Sequence, residues 1–444
     1  NIYVRKSGND SNDGSTPELA KLTIAGAFAV YSAGDTIIFG AGLYEISAIS
    51  ASNYCTIHGD ITGEYTGDAG EVIFHGLNSS FDAYSSFSDN LFSFCLTNPT
   101  TIENIKFIDI KIAGYKSLLS GNFILNNLTF SNISSYKIIE TCGYALTTSS
   151  IFISNCFSDV GSVAGIYIVT SNTEELTFNL ENIIIMDCGS KNSNSEVYGI
   201  YLPIINNNAT LNIKNGIIGN LYGNGKGVVC NAYSSDADVV TLNINNVSVF
   251  NCTYNFALST SGSAILSGSI NNCNSFNSKN ADVISATVTI TNKTALAPFV
   301  FNKIPNVSIF SPLNGIGNST FASTDIDGNP RPAYGNANCD IGAIESTSDI
   351  IQKESTIKDA GDYSVKVAPC NYFKKTFQVP VTASELRAVK VKIRIDGTWG
   401  TYLPRVSLSG QGMTLSQATK NSTTGSFEEL TVSGTPTTTG IALL

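Results

Sequence analysis

Carboxylates are the only side chains in this 444-residue chain whose number and placement suit acid–base chemistry. Hydrolysis of a glycosidic bond needs two of them facing each other across a sugar, one to give a proton and one to attack or to activate water. Glu174, Glu196, Asp236 and Asp238 are the first candidates, with Glu175, Glu181 and Asp187 in reserve. Asp187 occupies a turn position of a repeated phrase, which gives it a structural explanation. No spacing singles out one pair, so the candidates stay open. Asp10, Asn12 and Asp13 offer oxygen ligands for Ca²⁺ in a Gly-rich turn, and turn formation and helix capping explain the same residues. Trp399, Tyr402 and Tyr372 are candidates for stacking on a sugar ring.

Other chemistries find little support. The ten cysteines form no CxxC or Cys/His cluster, and the two histidines, His58 and His75, stand apart. Arginine is absent between Arg5 and Arg331, and the net charge is −10, so no basic face for nucleic acid is present. No apolar run is long enough for a membrane-spanning helix. Charged residues are only 14% of the chain, against about a quarter in ordinary domains. The surface is therefore expected to be rich in hydroxyls and amides.

These residues must be positioned by a repeat. A seven-residue phrase opens at Asn104 (NIKFIDI), Asn127 (NLTFSNI), Ser150 (SIFISNC), Asn182 (NIIIMDC), Asn215 (NGIIGNL) and Asn246 (NVSVFNC), and a degenerate copy opens at Ser267 (SGSINNC). Positions two and four are apolar, apart from Gly216 and, in the degenerate copy, Gly268, and position six is Asp or Asn. Period-two spacing marks a strand with alternate side chains in a core. A short strand recurring every 20 to 35 residues must complete its core by stacking on its neighbours. The reading is a parallel β-solenoid, with Phe107, Phe130, Ile153, Ile185, Ile218 and Val249 in one interior file. Cys156, Cys188, Cys252 and Cys273 are read at position seven, as a column of small buried thiols.

Before the repeats, Leu22 to Ala33 has the pattern of a short amphipathic helix that would shield the edge of a first coil opening at Thr36. After Ser346 the composition shifts, and short alternating runs near Tyr363, Phe373, Ala388, Val406 and Leu430 predict an antiparallel β-sandwich. Val389, Val391, Ile393 and Ile395 point one way and Lys390, Lys392 and Arg394 the other. The expected division is 1–346 solenoid with N-terminal cap, 347–362 connector and 363–444 sandwich. The last residues read as mid-strand, as if the sandwich were incomplete or completed by another chain.

Two segments carry a family resemblance. YVRKSGNDSNDG followed by TIAGAFAVYSAGDTIIFGAGLY resembles the entry segment of right-handed parallel β-helix proteins of the pectate-lyase-like superfamily. Asp325, Asp327-Gly328-Asn329-Pro330-Arg331 and Cys339-Asp340-Ile341-Gly342-Ala343-Ile344-Glu345 resemble a segment that often closes such helices. With the internal repeats, the resemblance spans residues 1 to 346. It implies a right-handed parallel β-helix with an N-terminal capping helix, here followed by a jelly-roll-like sandwich. Arg331 would pair with Asp340 or Glu345 to cap the last coil. The resemblance also raises a homotrimer. It does not fix function, since the superfamily holds lyases, hydrolases, tail spikes and adhesins. Lyase chemistry in that family uses an arginine base and Ca²⁺, and the middle of this solenoid has no arginine. The expected role is an extracellular or virion-exposed structural or adhesive protein of the tail-spike type, contacting surface glycan and needing no cofactor. The alternatives are a polysaccharide depolymerase and a secreted bacterial surface protein with a carbohydrate-binding module.

Overall fold

The computed structural model describes residues 1–51, 53–76, 86–87, 90–94, 98–158, 161–170, 175–190, 194–205, 208–285, 287–291, 293–295, 300–301, 304–305, 317, 323–327, 331, 340–343, 351–354, 364–367, 378–381, 383–394, 405–410, 412–419, 427–438 and 440–443. It forms two compact units, Asn1–Thr347 and Ser348–Leu444.

The first unit is a parallel β-helix. Successive coils pair in parallel and in register, so that Phe74, Phe107, Phe130, Ile153, Ile185, Ile218 and Val249 lie opposite one another from coil to coil. All seven are fully buried. The interior file expected from the phrase is therefore present, and the Phe107 and Phe130 rings stack at 5.1 Å. Positions two and seven face the same core: Ile105 and Ile110, Leu128 and Ile133, Ile151 and Cys156 are all buried. Each such side chain contributes roughly 1.5–3 kcal/mol on burial, so a coil is stable only while neighbours above and below keep its core dry.

The phrase carries two corners. Position one (Asn104, Asn127, Ser150, Asn182, Asn215, Asn246) and position six (Asp109, Asn132, Asn155, Asp187, Asn220, Asn251) all have φ between +49° and +61°. Short Asx side chains tolerate this left-handed conformation best after glycine. In the coil of Asn104 two successive residues at each corner are not buried, Glu103–Asn104 and Ile108–Asp109, which resets the alternation and bends the strand around the core. The corner amides bond from coil to coil: Asn127 to Asn104 at 2.8 Å, Asn215 to Asn182 at 3.1 Å, and Asn251 to Asn220 at 2.7 Å, each Nδ2 donating to an Oδ1.

This corner chemistry corrects the seventh copy. Asn272 bonds to Asn246, and Ser275 and Phe276 pair with Val249 and Phe250. Asn272 and Asn277 hold the two left-handed corners. The copy is Asn272–Ser278, and Cys273 stands at position two rather than seven. The misreading has a simple cause: two Asx corners five residues apart let the phrase match itself after a five-residue slip. Cys156, Cys188 and Cys252 do share position seven, buried and free of disulfides.

The N-terminal cap also differs from expectation. The α-helix is only Ile24–Phe28, started by the Thr23 hydroxyl accepting from the Gly26 amide. It stops early because the Asp35 carboxylate draws the Ser32 amide into a turn. Ile24 and Ala27 join the core, and Phe28 lies edge-on to Phe92. The first coil opens at Ile2–Val4, which pairs with Thr36–Phe39. The edge of that strand is covered by backbone rather than by the helix: Tyr3 donates to the Gly14 carbonyl, Lys21 to Tyr3, and Arg5 to Lys21.

The closing segment folds back along the solenoid's flank instead of capping its end. Ile326 and Ala343 pack on Met186, Ile217, Phe250 and Phe276, at outward positions three and five of the phrase. Asn215 Nδ2 donates to the Thr324 carbonyl, and the Gly342 amide donates to Asn272. Arg331 donates to the backbone carbonyls of Asp340 (3.1 Å) and Gly342 (2.7 Å). The expected pairing thus reaches the carbonyl oxygen of Asp340, and Glu345 lies outside the described residues.

The second unit is antiparallel. Arg387–Arg394 pairs with Phe427–Gly434, and Arg405–Gly410 with Met413–Thr419. Val406, Leu408, Leu430 and Val432 form its core, against which Val389, Val391 and Ile393 pack, while Lys390 faces Glu429 at 2.7 Å. Gly440–Leu443 pairs with Gln378–Val381. The strand Met413–Thr419 escaped the sequence reading because Ser, Gln and Thr blur its alternation.

Candidate functional site

The face that brings chemistry-bearing side chains together is the outer side of the second solenoid sheet. Its strands Lys137–Cys142, Val163–Val169, Glu196–Ile205, Asn224–Ser234 and Tyr254–Gly262 pair in parallel. Two outward files run across them. One is Lys137, Ala164, Tyr198, Lys226, Tyr254; the other is Glu140, Tyr167, Tyr201, Val229, Ala257. Between the files, two successive residues of a strand point inward, as at Ile138–Ile139, both fully buried. That is the reverse of the Asx corners, so the strand bends the other way and outward side chains three apart converge. The Tyr198 and Tyr201 rings stack at 4.2 Å, 11° from parallel, and Lys137 Nζ reaches Glu140 at 2.5 Å.

Glycine holds the elbow in the three middle strands. Gly165, Gly199 and Gly227 occupy the first inward position, and a Cβ on Gly199 or Gly227 would lie 2.5 or 2.2 Å from Ile218 or Val249 of the facing sheet. The backbone therefore sits directly on the interior file, and the elbow is as rigid as the core beneath it.

The result is a tyrosine cluster with charge at its rim, in which Tyr198 is buried and Tyr167 and Tyr201 are half-buried. Tyr167 meets Tyr201 edge-on at 5.3 Å, and Tyr136 meets the exposed Tyr115 at 5.1 Å. Lys137 Nζ lies 3.9 Å from the Tyr167 ring centre and 5.3 Å from that of Tyr136, and Lys226 Nζ lies 5.5 Å from that of Tyr198. Glu140 accepts from Ser117 Oγ at 2.5 Å as well as from Lys137. Glu196 accepts from Lys226 Nζ and from the Tyr198 hydroxyl. Burial raises the Tyr136 phenol above its ordinary range, and Tyr115, Tyr201, Glu140 and Glu196 push it in the same direction, so both carboxylates bear on one tyrosine. The half-buried Tyr167 and Tyr201 leave part of their rings beside fixed donors and acceptors.

Of the residues singled out in the sequence, Glu196 belongs to this cluster. Asp236 and Asp238 do not: they form a turn around Ser234, whose Oγ donates to Asp238 at 2.6 Å and accepts from the Asp236 amide. Glu196 pairs with Asn224 at the start of a strand that ends at Ser234, about 30 Å of chain away at strand rise. Glu181 pairs with Lys214 at 2.7 Å on the other sheet, and Asp187 holds its corner, accepting from Asn220 and Tyr222. Glu174, Trp399, Tyr402 and Tyr372 lie outside the described residues. Asp10 accepts from the Leu22 and Thr23 amides and the Thr23 hydroxyl, Asp13 from Ser15, and Asn12 donates to the Ala20 carbonyl. These bonds fit turn formation and helix capping. Among the described residues no group of three or more His, Cys, Asp or Glu side chains is placed to hold a metal ion, and no helix is long and apolar enough to cross a membrane. His58 Nδ1 lies 2.8 Å from the Glu103 carboxylate, which accepts from it, in an early coil.

Sequence reasoning missed Glu140 and the tyrosines because they lie outside the seven-residue phrase. The signal was a second, looser repeat: AGIY at Ala164, YGIY at Tyr198 and KGVV at Lys226 share the glycine of the elbow.

No family model matches the chain, and no curated protein does. Among solved structures, one described as "The complex structure of XylC with xylose" aligns with 82% of this chain and 99% of its own, at 10% identity and a TM-score of 0.29. The assignment of the fold rests on the strand register, and that of the site on the side chains described above.

Proposed function

We propose that this protein is a glycan-binding β-solenoid of the adhesive kind, displayed outside a cell or on a virion, that holds polysaccharide against the tyrosine-lined elbow. The observation that carries the reading is the cluster of Tyr167, Tyr198 and Tyr201 on a rigid parallel sheet, Tyr198 stacked on Tyr201 and Tyr167 edge-on to it, with Lys137, Lys226, Glu140 and Glu196 at its rim. Aromatic faces take up the C–H side of pyranose rings, and the charged rim offers hydrogen bonds to their hydroxyls. The low charge and abundance of amides and hydroxyls elsewhere suit contact with a hydrated surface. The test is retardation in affinity gels cast with a panel of bacterial surface polysaccharides. Tyr201→Ala is expected to weaken retention at least tenfold on the polysaccharide that the native protein binds, with thermal stability little changed. Unaltered retention rules the elbow out.

A second reading is polysaccharide depolymerisation, favoured by one observation: Glu140 and Glu196, on strands separated by Val163–Val169, both bear on Tyr136. If the elbow cleaves its glycan, reducing ends appear on incubation, and Glu196→Gln and Glu140→Gln each abolish them while binding persists. Binding without release of reducing ends or unsaturated products leaves the adhesive reading.

A further inference from the structure

The corner ladder at position one is broken once. Asn127 donates to Asn104, and Asn182 accepts from Asn215, but the residue between them is Ser150. A serine hydroxyl cannot bridge coils about 4.8 Å apart as a carboxamide does. Asn127 Oδ1 and Asn182 Nδ2 are thus left without a ladder partner. At the gap a cavity of ≈ 200 Å³ opens, with the Phe152 ring and Ile184 on one wall and Ile326 and Asp327 of the closing segment on the other. Burial, and then the charge of Asp325, hold the Asp327 carboxyl above the usual carboxylate range. Such a group gains from a hydroxyl donor brought to it. A ring and aliphatic wall facing two carboxamides, a hydroxyl and a carboxylate has the chemistry of a single sugar: one apolar face and an edge of hydroxyls. The lone carboxylate disfavours an anion.

We propose that this cavity, on the outer face of the long sheet, binds one neutral pyranose unit, independently of the tyrosine-lined elbow. The ladder itself supplies the control. Ser150 has φ +58°, a conformation asparagine tolerates better than serine, so Ser150→Asn completes the ladder and fills the cavity without burdening the fold. Saturation-transfer NMR is run on the full chain with glucose, galactose, mannose, rhamnose, N-acetylglucosamine and glucosamine, each alone. At least one neutral sugar is expected to show transfer with the native protein and with Tyr201→Ala, and none with Tyr201→Ala carrying Ser150→Asn as well; the melting temperature of Ser150→Asn alone equals or exceeds the native value. Asp327→Asn is expected to weaken the signal severalfold. No transfer from any neutral sugar, transfer that survives in Tyr201→Ala carrying Ser150→Asn, or transfer lost in Tyr201→Ala alone overturns the proposal. A response to glucosamine alone replaces it with a cation site.

Discussion

At the scale of single residues, the asparagines do two jobs that alanine cannot share. Asn215 is fully buried, has φ +56°, donates to Asn182 Oδ1 and the Thr324 carbonyl, and accepts from Asn246. Alanine there loses buried hydrogen bonds, about 1–3 kcal/mol, and meets a left-handed cost of about 1–2 kcal/mol. Glycine loses the bonds alone. Urea unfolding is therefore expected to place Asn215→Ala below Asn215→Gly in stability, by about 1 kcal/mol. Equal losses would mean that the corner conformation costs nothing. Carboxylates of the first coils add a pH dependence. Burial raises Asp60, but bonds from the Thr66 and Tyr65 amides and the Thr66 and Thr62 hydroxyls outweigh it and leave its pKa lowered. Asp68 is lowered by its bond to Arg5. A carboxylate whose folded pKa is depressed contributes stability that is complete above its ordinary value, near 3.8, and is lost as pH falls through the folded value. The melting temperature is expected to drop steeply below about pH 4, and less steeply in Asp60→Asn, which starts lower. Asp327, being raised, works in the opposite sense. A profile of the same slope in both proteins would remove Asp60 from the account.

At the scale of elements, the elbow is held by what its glycines touch. A methyl on Gly199 would lie 2.5 Å from Ile218 Cγ2 and 2.6 Å from the Gly227 carbonyl oxygen, and the carbonyl is fixed in the sheet. Overpacking of this kind costs typically about 1–3 kcal/mol. Gly199→Ala is expected to lose about that much and to part Tyr198 from Tyr201, seen as reduced near-ultraviolet tyrosine dichroism. Unchanged dichroism would separate the tyrosine stack from the elbow. This element also marks the limit of what the sequence discloses. The strand, its alternation and its corners were legible because a left-handed position accepts few residue types, so Asn and Asp recur wherever the backbone demands them. The elbow uses glycine for closeness rather than for conformation, and three glycines among the chain's 38 do not stand out. Asp236 and Asp238 looked catalytic because exposed acids in a loop have no visible partner in sequence; Ser234 is that partner. The path of the closing segment was illegible for a further reason. Its contacts, Ile326 and Ala343 on Phe250 and Phe276, join outward faces, whose apolar residues look like ordinary strand exceptions.

At the scale of the molecule, a stack in which each coil touches only its neighbours need not unfold all at once. Interior coils are held from both sides and end coils from one, so loss of structure is expected to begin at the ends. The buried cysteines can report it. Cys55, Cys230, Cys252 and Cys273 are raised to about 12, chiefly by burial. Burial and the neighbouring Cys188 raise Cys156 as well. Since the thiolate is the reactive form, all five are expected to resist iodoacetamide at neutral pH while folded. They are spread along the solenoid: Cys55 precedes the strand Thr56–Gly59, Cys156 and Cys230 stand in the middle, and Cys273 lies in the last copy of the phrase. Pulsed alkylation over a urea series, read by peptide mass spectrometry, should label Cys55 and Cys273 at lower urea than Cys156 and Cys230. The closing segment adds a bias, because it ties the coils from Asn215 to Asn272 together along their outer face. Its bonds should move labelling of Cys273 to higher urea than that of Cys55. Arg331→Ala, which removes the donors to Asp340 and Gly342, should shift Cys273 to lower urea and leave Cys55 unmoved. Simultaneous labelling of all the thiols at one urea concentration would mean that the solenoid behaves as a single cooperative unit.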